Sequence, residues 1–321
     1  MELEHINVSV NATHDSLTEA AFVPLSNGVP NWCTYLVLTY MGVVGVVGTI
    51  GNTLVIVVEL REKKKSVTDC FVLYLAIFDV LSLTITVPLF VIQLLGLWNS
   101  VSSSFGCKFL YWAVNALNMS SAAVISLIGI ERLSMTSGTM DIFTPFRACV
   151  LSNVVFGVSS LLASPAFVYA KRDRTGYCIF DQSFRAFTSV SYGITFTVAI
   201  VSTIITAYTY TKIGKYLKGK IYPLNGQDER RHISFCRNLR QVQRVTLTMA
   251  LVTIVFFVST TLPSAAGLFL VCLQVNEVSA GRTLIFLLVR LYMINNCSNP
   301  LLYIYLNSKF RESLRRLIRR Y

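Results

Sequence analysis

Residues 75–79 read Leu75-Ala76-Ile77-Phe78-Asp79, and the carboxylate that closes them stands inside an apolar run from about 70 to 95. A charge at that depth in hydrocarbon costs on the order of 3 kcal/mol, so it needs a use inside a bundle of helices. The pattern recurs twice. Glu131-Arg132 lies near the end of a run from about 107 to 135, and Asn299-Pro300-Leu301-Leu302-Tyr303 sets an amide and a helix breaker into a run from about 284 to 306.

Four more apolar runs, at about 34–60, 148–170, 186–210 and 245–272, bring the number to seven. Each is long enough to cross a hydrocarbon layer of about 30 Å, which takes roughly 20 helical residues. A spanning segment must satisfy its own backbone hydrogen bonds, and the ten-residue alternation of a barrel is absent, so the runs are read as helices. Composition agrees. The chain has 321 residues, 54% hydrophobic and 14% charged, with a mean hydropathy of +0.59, more apolar than one water-soluble core of this length would hold. The connections are short except for about 30 residues between the fifth and sixth runs, which leaves no room for a soluble catalytic module. The expected fold is an all-α membrane protein, a seven-transmembrane helix bundle.

Loops rich in lysine and arginine stay cytoplasmic. The first 36 residues carry neither, whereas Arg61, Lys63, Lys64 and Lys65 follow the first run. Lys212, Lys215, Lys218, Lys220, Arg230, Arg231, Arg237, Arg240 and Arg244 lie between the fifth and sixth. All fall on one side of a seven-span chain, together with the basic end of the sequence. The reading is a multi-pass plasma-membrane protein with its amino terminus outside and its carboxyl terminus inside. Net charge +12 then serves the anionic inner leaflet and acidic partners, with no nucleic acid required.

Residues 1–33 are expected to form an extracellular tail, glycosylated at Asn7 of Asn7-Val8-Ser9 and Asn11 of Asn11-Ala12-Thr13. It lacks the basic start and apolar stretch of a cleavable signal, so the first run is read as an uncleaved anchor. Residues 34–306 form the membrane domain. In residues 307–321, Phe310, Leu314, Leu317 and Ile318 recur at helical spacing opposite Lys309, Arg311, Arg315, Arg316, Arg319 and Arg320. That pattern predicts an amphipathic eighth helix lying on the cytoplasmic membrane surface.

Several function classes fall away. No repeat suggests a transporter, and no polar lining runs through several spans as a channel would need. His5, His14 and His232 all lie outside the spans, so no intramembrane catalytic pair is in view and the protein is not read as an enzyme. Cys107 and Cys178 both belong to the oxidising outer side, either as a bridge or as two unrelated thiols. Cys33 and Cys272 also approach that side, whereas Cys70, Cys149, Cys236 and Cys297 are expected to be free.

From about residue 35 onward the chain resembles the rhodopsin-like, class A G-protein-coupled receptors. The resemblance rests on Gly51-Asn52, Leu75 to Asp79, Cys107 followed 25 residues later by Arg132 of Glu131-Arg132-Leu133, Pro263, and Asn299-Pro300-Leu301-Leu302-Tyr303 with Phe310 beyond it. It implies a Cys107–Cys178 disulfide. It implies coupling to a heterotrimeric G protein, in which Glu131 holds Arg132 at rest and Arg132 swings toward Tyr210 and Tyr303 on activation, with Pro263 and Pro300 where helices bend. Departures are Leu133, Phe156, Thr261 and the lack of a proline near Ser202, at positions where the family usually has tyrosine, tryptophan, tryptophan and proline. The sixth-helix switch must then use other side chains.

Asp79, Ser121, Asn295 and Asn299 supply oxygen ligands in mid-membrane, with Asn52 bridging helices beside them. The cluster either holds a structural sodium ion at Asp79 or is a static hydrogen-bonded core. No other cofactor is expected.

By analogy with the family, the ligand cavity is expected at Val114, Asn115, Asn118, Ser264, Val289 and Met293, with Gln93 at the rim. Val114 offers no carboxylate to an amine, and the seventh span has no lysine for retinal. Lys171, Arg172 and Arg174 in the outer loop point to a peptide or an acidic or lipid-like small molecule, and the peptide is favoured. Arg290 is expected to snorkel outward or to face a neighbouring helix. The competing reading is a receptor-shaped protein that captures ligand without signalling.

Overall fold

The computed structural model describes residues 31–62, 65–95, 104–138, 143–172, 178–221, 250–251, 253–273, 287–288, 290–306 and 308–319, together with residue 247. Helix α1 covers Asn31–Arg61 and α2 Val67–Leu94. Ser66 starts α2 with a capping box: its hydroxyl accepts the Asp69 N–H at 3.2 Å while the Asp69 carboxylate accepts the Ser66 N–H at 2.9 Å. Helix α3, Phe105–Ser137, ends where Gly138 turns left-handed at φ 69°. Helix α4, Pro145–Leu162, begins with proline at its first position behind Thr144, whose hydroxyl accepts the Arg147 N–H.

The fourth span, Pro145–Tyr169, agrees with the run read at about 148–170. Within it the α-helical bonding breaks at Ser164-Pro165, where Pro165 has no N–H to donate and the Ser164 N–H bonds the Leu161 carbonyl, and α4 gives way to a single turn, α5 (Ala166–Tyr169). Strand β1 (Ala170–Arg172) then pairs antiparallel with β2 (Cys178–Phe180), Lys171 facing Ile179. A Cys107–Cys178 disulfide, Cα atoms 5.4 Å apart, ties this hairpin to the start of α3. Helix α6 runs from Arg185 to Ile221, past the end expected near residue 210.

Among the described residues, five helices are long and apolar enough to cross a membrane. The sixth and seventh spans are described in part: a π-helical stretch, Phe257–Thr261, leads into α7 (Leu262–Leu273), and α8 covers Tyr292–Leu306. The π stretch has a local cause. Pro263 has no N–H and its ring crowds the carbonyl four residues back, so the turn before it widens. The last helix is α9, Ser308–Ile318.

Helix α3 is the axis. Of its most apolar window 72% is buried, against 28% in α1 and 22% in the fourth span. Val43, Val46, Val47, Ile50 and Leu54 of α1 are exposed, the face a bilayer would cover. Helix α1 meets α8 closely because Gly51 lacks a side chain; a Cβ there would lie 2.8 Å from the Pro300 Cβ. Phe156 takes the expected tryptophan position and stacks on Phe78 with ring centroids 5.5 Å apart.

Two expectations need correction. Arg290 does not snorkel outward: it is 4% exposed, with its guanidinium 4.7 Å from the Phe90 ring centroid, so of the two readings the neighbouring-helix one stands. The apolar face of α9 also turns inward more than expected. Phe310 is buried 6.1 Å from the Tyr303 ring, and Leu314 and Leu317 pack on the bundle core, leaving Ile318 exposed. Packing satisfies these side chains before lipid can.

Candidate functional site

Asp79 is fully buried on α2. Its carboxylate accepts from Asn299 Nδ2 at 2.8 Å and from Ser121 Oγ at 3.4 Å, joining α2, α8 and α3. Asn52 stands one step away, donating from Nδ2 to the Asn296 carbonyl at 2.6 Å and the Gly48 carbonyl at 2.9 Å. Asn296 in turn donates to Ser82 Oγ at 2.7 Å. Asn295 is buried, but neither its amide nitrogen nor its oxygen has a hydrogen-bond partner among the described residues, and the same holds for Asn299 Oδ1 and Asn52 Oδ1. Buried amides left this way are costly and mark a place for an ion or water. Among the described residues no three His, Cys, Asp or Glu side chains gather, so the donor set is one carboxylate with amide and hydroxyl oxygens. Such a set suits a hard cation and not a thiophilic metal.

Toward the end of α3 that leads to Gly138, Glu131 is buried and accepts from Thr68 Oγ1 at 2.9 Å. Arg132 Nε lies 3.5 Å from Glu131 Oε2, close enough for attraction but outside hydrogen-bond geometry. The guanidinium is therefore loosely held. Tyr210 of α6 lies within electrostatic reach of Arg132 and Glu131, and its hydroxyl meets Thr253. Tyr303 is buried with Asp79, Glu59, Tyr210 and Arg132 within electrostatic reach, and its hydroxyl has no partner among the described residues. The structure thus brings Glu131, Arg132, Tyr210 and Tyr303 together. Pro263 follows the π-helical stretch, and Pro300 lies inside the continuous helix α8.

The other half of the bundle, beneath the hairpin, is organised differently. Asn115 donates to the Tyr111 carbonyl at 2.9 Å and approaches the Tyr169 hydroxyl at 3.5 Å, while Thr195 Oγ1 donates to Asn115 Oδ1 at 3.2 Å. The Tyr169 and Ser191 hydroxyls are 3.3 Å apart. Rings of Tyr111, Tyr169 and Tyr192 surround Phe180, which the disulfide holds in place two residues from Cys178. Gln93 Nε2 reaches the Cys178 carbonyl at 3.4 Å.

The remaining pocket candidates divide. Val114 and Met293 sit in an apolar cluster with Leu110 and Tyr292, and Asn118 is buried on α3. Ser264 donates to the Thr260 carbonyl of its own helix at 2.8 Å. Val289, Asn7, Asn11, Arg174, residues 222–246 and the side chains of Cys33 and Cys272 lie outside the described residues. Cys70, Cys149 and Cys297 are free thiols.

In the hairpin, Lys171 Nζ pairs with Asp181 Oδ1 at 3.2 Å, so part of the hairpin's cationic charge is already met by the chain. Slight desolvation works against ionisation of Asp181, but the Ser183 N–H and the Lys171 ammonium outweigh it and hold the carboxyl below its usual range.

Sequence reasoning missed Thr68, Tyr169, Ser191 and Thr195. Each is a neutral hydroxyl whose partner lies 22 to 80 residues away, except that Thr195 also bonds the Ser191 carbonyl one turn back, and no local spacing announces such pairs.

The chain is 24% identical over 301 residues to galanin receptor 2b of Danio rerio, covering 89% of this chain and 76% of that one. It is 26% identical over 306 residues to the neuropeptide F receptor of Drosophila melanogaster, covering 88% and 62%. It is 24% identical over 296 residues to neuropeptide Y receptor type 2 of Homo sapiens, covering 87% and 74%. The profile of the 7 transmembrane receptor (rhodopsin family) matches residues 51–303, well over half of the chain. With its buried Asp79 and its Glu131–Arg132 pair set in apolar helices, the chain belongs to the rhodopsin family of seven-transmembrane receptors.

Proposed function

We propose that this receptor sits in the plasma membrane with its amino terminus outside, binds an extracellular peptide, and passes that event to a heterotrimeric G protein. The observation that carries the reading is the loosely held Arg132, 3.5 Å from Glu131, with a buried Tyr303 within its electrostatic reach whose hydroxyl has no partner among the described residues. A guanidinium held by one loose contact exchanges partners at low cost, and the Tyr210 and Tyr303 hydroxyls, within its electrostatic reach, are the alternatives this reading assigns. The π-helical turn before Pro263 gives the sixth span a weak point about which its cytoplasmic end moves outward.

The peptide assignment is supported by two relatives whose names specify a neuropeptide, the neuropeptide F and neuropeptide Y receptors. Asn115, Gln93 and Phe180 face the region a peptide would enter, and Arg172 adds outer charge beside the paired Lys171. Residues 1–33 form the glycosylated tail, bearing sugar at Asn7 and Asn11. Asp79, Ser121, Asn295 and Asn299 hold a sodium ion in the resting bundle, and the unmet Oδ1 atoms of Asn295 and Asn299 fit that ion. The third inner loop and α9 present cations to the inner leaflet and to an acidic partner surface.

The test is nucleotide exchange on purified G protein by receptor in lipid nanodiscs, screened against peptide libraries. An activating peptide is expected, and Arg132→Ala is expected to reduce its effect by about 5–150-fold while peptide affinity stays within about threefold. Full exchange by the alanine variant would remove Arg132 from the relay.

A further inference from the structure

Helices α2 and α4 are joined by paired side chains that rise together from their starts. Phe71 meets Phe143, just before α4, edge to face with ring centroids 5.8 Å apart; Asn153 Nδ2 donates to the Tyr74 hydroxyl at 2.7 Å; and Phe78 stacks on Phe156 at 5.5 Å. The two helices therefore run side by side in the same direction. One turn before Tyr74 and Asn153 stands a pair that the proposed receptor mechanism does not use, Cys70 on α2 and Cys149 on α4. Their side chains share a hydrogen bond. Both are free thiols, and both pack in the same apolar cluster.

At the other end of the bundle Cys107 and Cys178 are also neighbours, and there the sulfurs are bonded. On the proposed orientation the difference follows from compartment: the outer side is oxidising, whereas the cytosol keeps thiols reduced and bridges formed there are transient and redox-sensing. The inner pair is also unequal in access. Cys70 is 2% exposed, whereas Cys149 is half-buried, so a small oxidant meets Cys149 first and Cys70 only through it. A part-exposed thiol beside a second, sheltered one is the arrangement of an attacking and a resolving cysteine. We propose that Cys70 and Cys149 form a redox-active dithiol, which a hydroperoxide converts to a disulfide between α2 and α4.

In the first step the Cys149 thiolate attacks one oxygen of hydrogen peroxide. The S–O bond forms as the O–O bond breaks, and the departing hydroxide leaves as water with the proton the thiol gave up, so Cys149 becomes a sulfenic acid. Cys70 sulfur then attacks Cys149 sulfur. The S–S bond forms as the S–O bond breaks, and the hydroxide takes the Cys70 proton and leaves as a second water. Two thiols are oxidised and one peroxide is reduced to two waters; a small dithiol reverses the bridge by exchange. The pairs on either side, Phe71 with Phe143 and Tyr74 with Asn153, already hold the helices at contact, so the bridge needs no rearrangement of the bundle. It has a consequence for the polar site. Thr68, which donates to Glu131 at 2.9 Å, lies two residues before Cys70, so the bridge clamps the turn of α2 that holds Glu131. The proposal takes only the membrane orientation from the proposed function, and its test is blind to whether the receptor binds peptide or activates a G protein.

The test uses full-length receptor in nanodiscs, reduced, freed of reductant, exposed to hydrogen peroxide and then alkylated for peptide mass spectrometry. A peptide pair joined through Cys70 and Cys149, lighter by two hydrogens, is expected to appear and to vanish on treatment with dithiothreitol, while Cys297 is recovered as the alkylated thiol. Cys70→Ser is expected to lose the bridge and leave Cys149 as a sulfenic acid that dimedone traps; Cys149→Ser is expected to leave Cys70 a thiol. Phenylarsine oxide, which bridges two neighbouring sulfurs without any oxidant, is expected to shield both cysteines from alkylation in the wild type and to shield neither single variant. Amide hydrogen exchange in the first turns of α2 and α4 is expected to slow on oxidation. Sulfenic acid that accumulates on Cys149 of the wild type while Cys70 stays a thiol would overturn the pairing. Peroxide treatment that leaves both as thiols would overturn the redox role, and a bridged receptor with unchanged exchange in α2 would overturn the clamp.

Discussion

Asp79 and Tyr169 are both buried polar residues, and the regions around them treat hydrogen bonding in opposite ways. Around Tyr169 the groups are neutral and matched: Asn115, Ser191 and Thr195 exchange bonds with it or with one another, and the hairpin above is covalently tied to α3. Around Asp79 the central group is a carboxyl, and four buried polar atoms nearby, on Asn52, Asn295 and Asn299, have no partner among the described residues. A satisfied network rigidifies, whereas an under-satisfied one changes state when an ion, water or side chain arrives. The difference assigns the surround of Tyr169 the part of a frame and the surround of Asp79 the part of a switch.

The most disruptive way to break the comparison is to untie the frame. Cys107→Ala is expected to cost about 2–5 kcal/mol, read as a large fall in thermal midpoint and loss of peptide binding. A variant that melts like wild type would show that the hairpin holds its place without the bond.

The next largest effect should come from Asp79→Asn. If the under-satisfied half responds to a cation, raising sodium lowers agonist affinity by about tenfold in wild type and leaves the variant unaffected. Equal sodium sensitivity in both proteins would assign the cluster to static fastening.

Tyr169→Phe sharpens the contrast from the other side. It removes one hydroxyl from a matched network and leaves Ser191 and Asn115 short of a partner, an expected cost of about 1–2 kcal/mol in thermal stability with sodium sensitivity unchanged. A sodium effect in this variant would mean that the two halves are not separable.

The smallest effect concerns acid. Asp181 has its carboxyl held below the ordinary range, so its contribution is fully present above the ordinary carboxyl pKa and disappears as pH falls through the lowered one. Hairpin stability is expected to be flat from about pH 5 to 8 and to weaken only below about pH 4, by less than about 1 kcal/mol because Lys171 is well exposed. A stability change centred near neutrality would point to another group.

Much of the site was legible before the fold. The cost of a charge in hydrocarbon makes Asp79 conspicuous in any apolar run, and the adjacency of Glu131 and Arg132 makes that pair visible in one dimension. Thr68 was not legible, because it meets Glu131 only when two helices lie side by side. Which of the two readings of Arg290 holds was hidden for the same reason. An arginine near a helix end ordinarily reaches for water, but Phe90 covers this one and Tyr40 donates to its carbonyl at 3.0 Å.

By itself the sequence determined the apolar spans, the side on which the cations gather and the positions of the buried ionisable groups, because the cost of polar atoms in hydrocarbon acts on each segment alone. Only the tertiary structure decided which hydroxyl satisfies Glu131, which amides near Asp79 go unmet, where α4 gives way to α5, and that Glu62 meets Ser313 and Arg316. Those outcomes depend on how neighbouring helices fit together, and residues 251 and 254 positions apart share no local pattern that would reveal their contact.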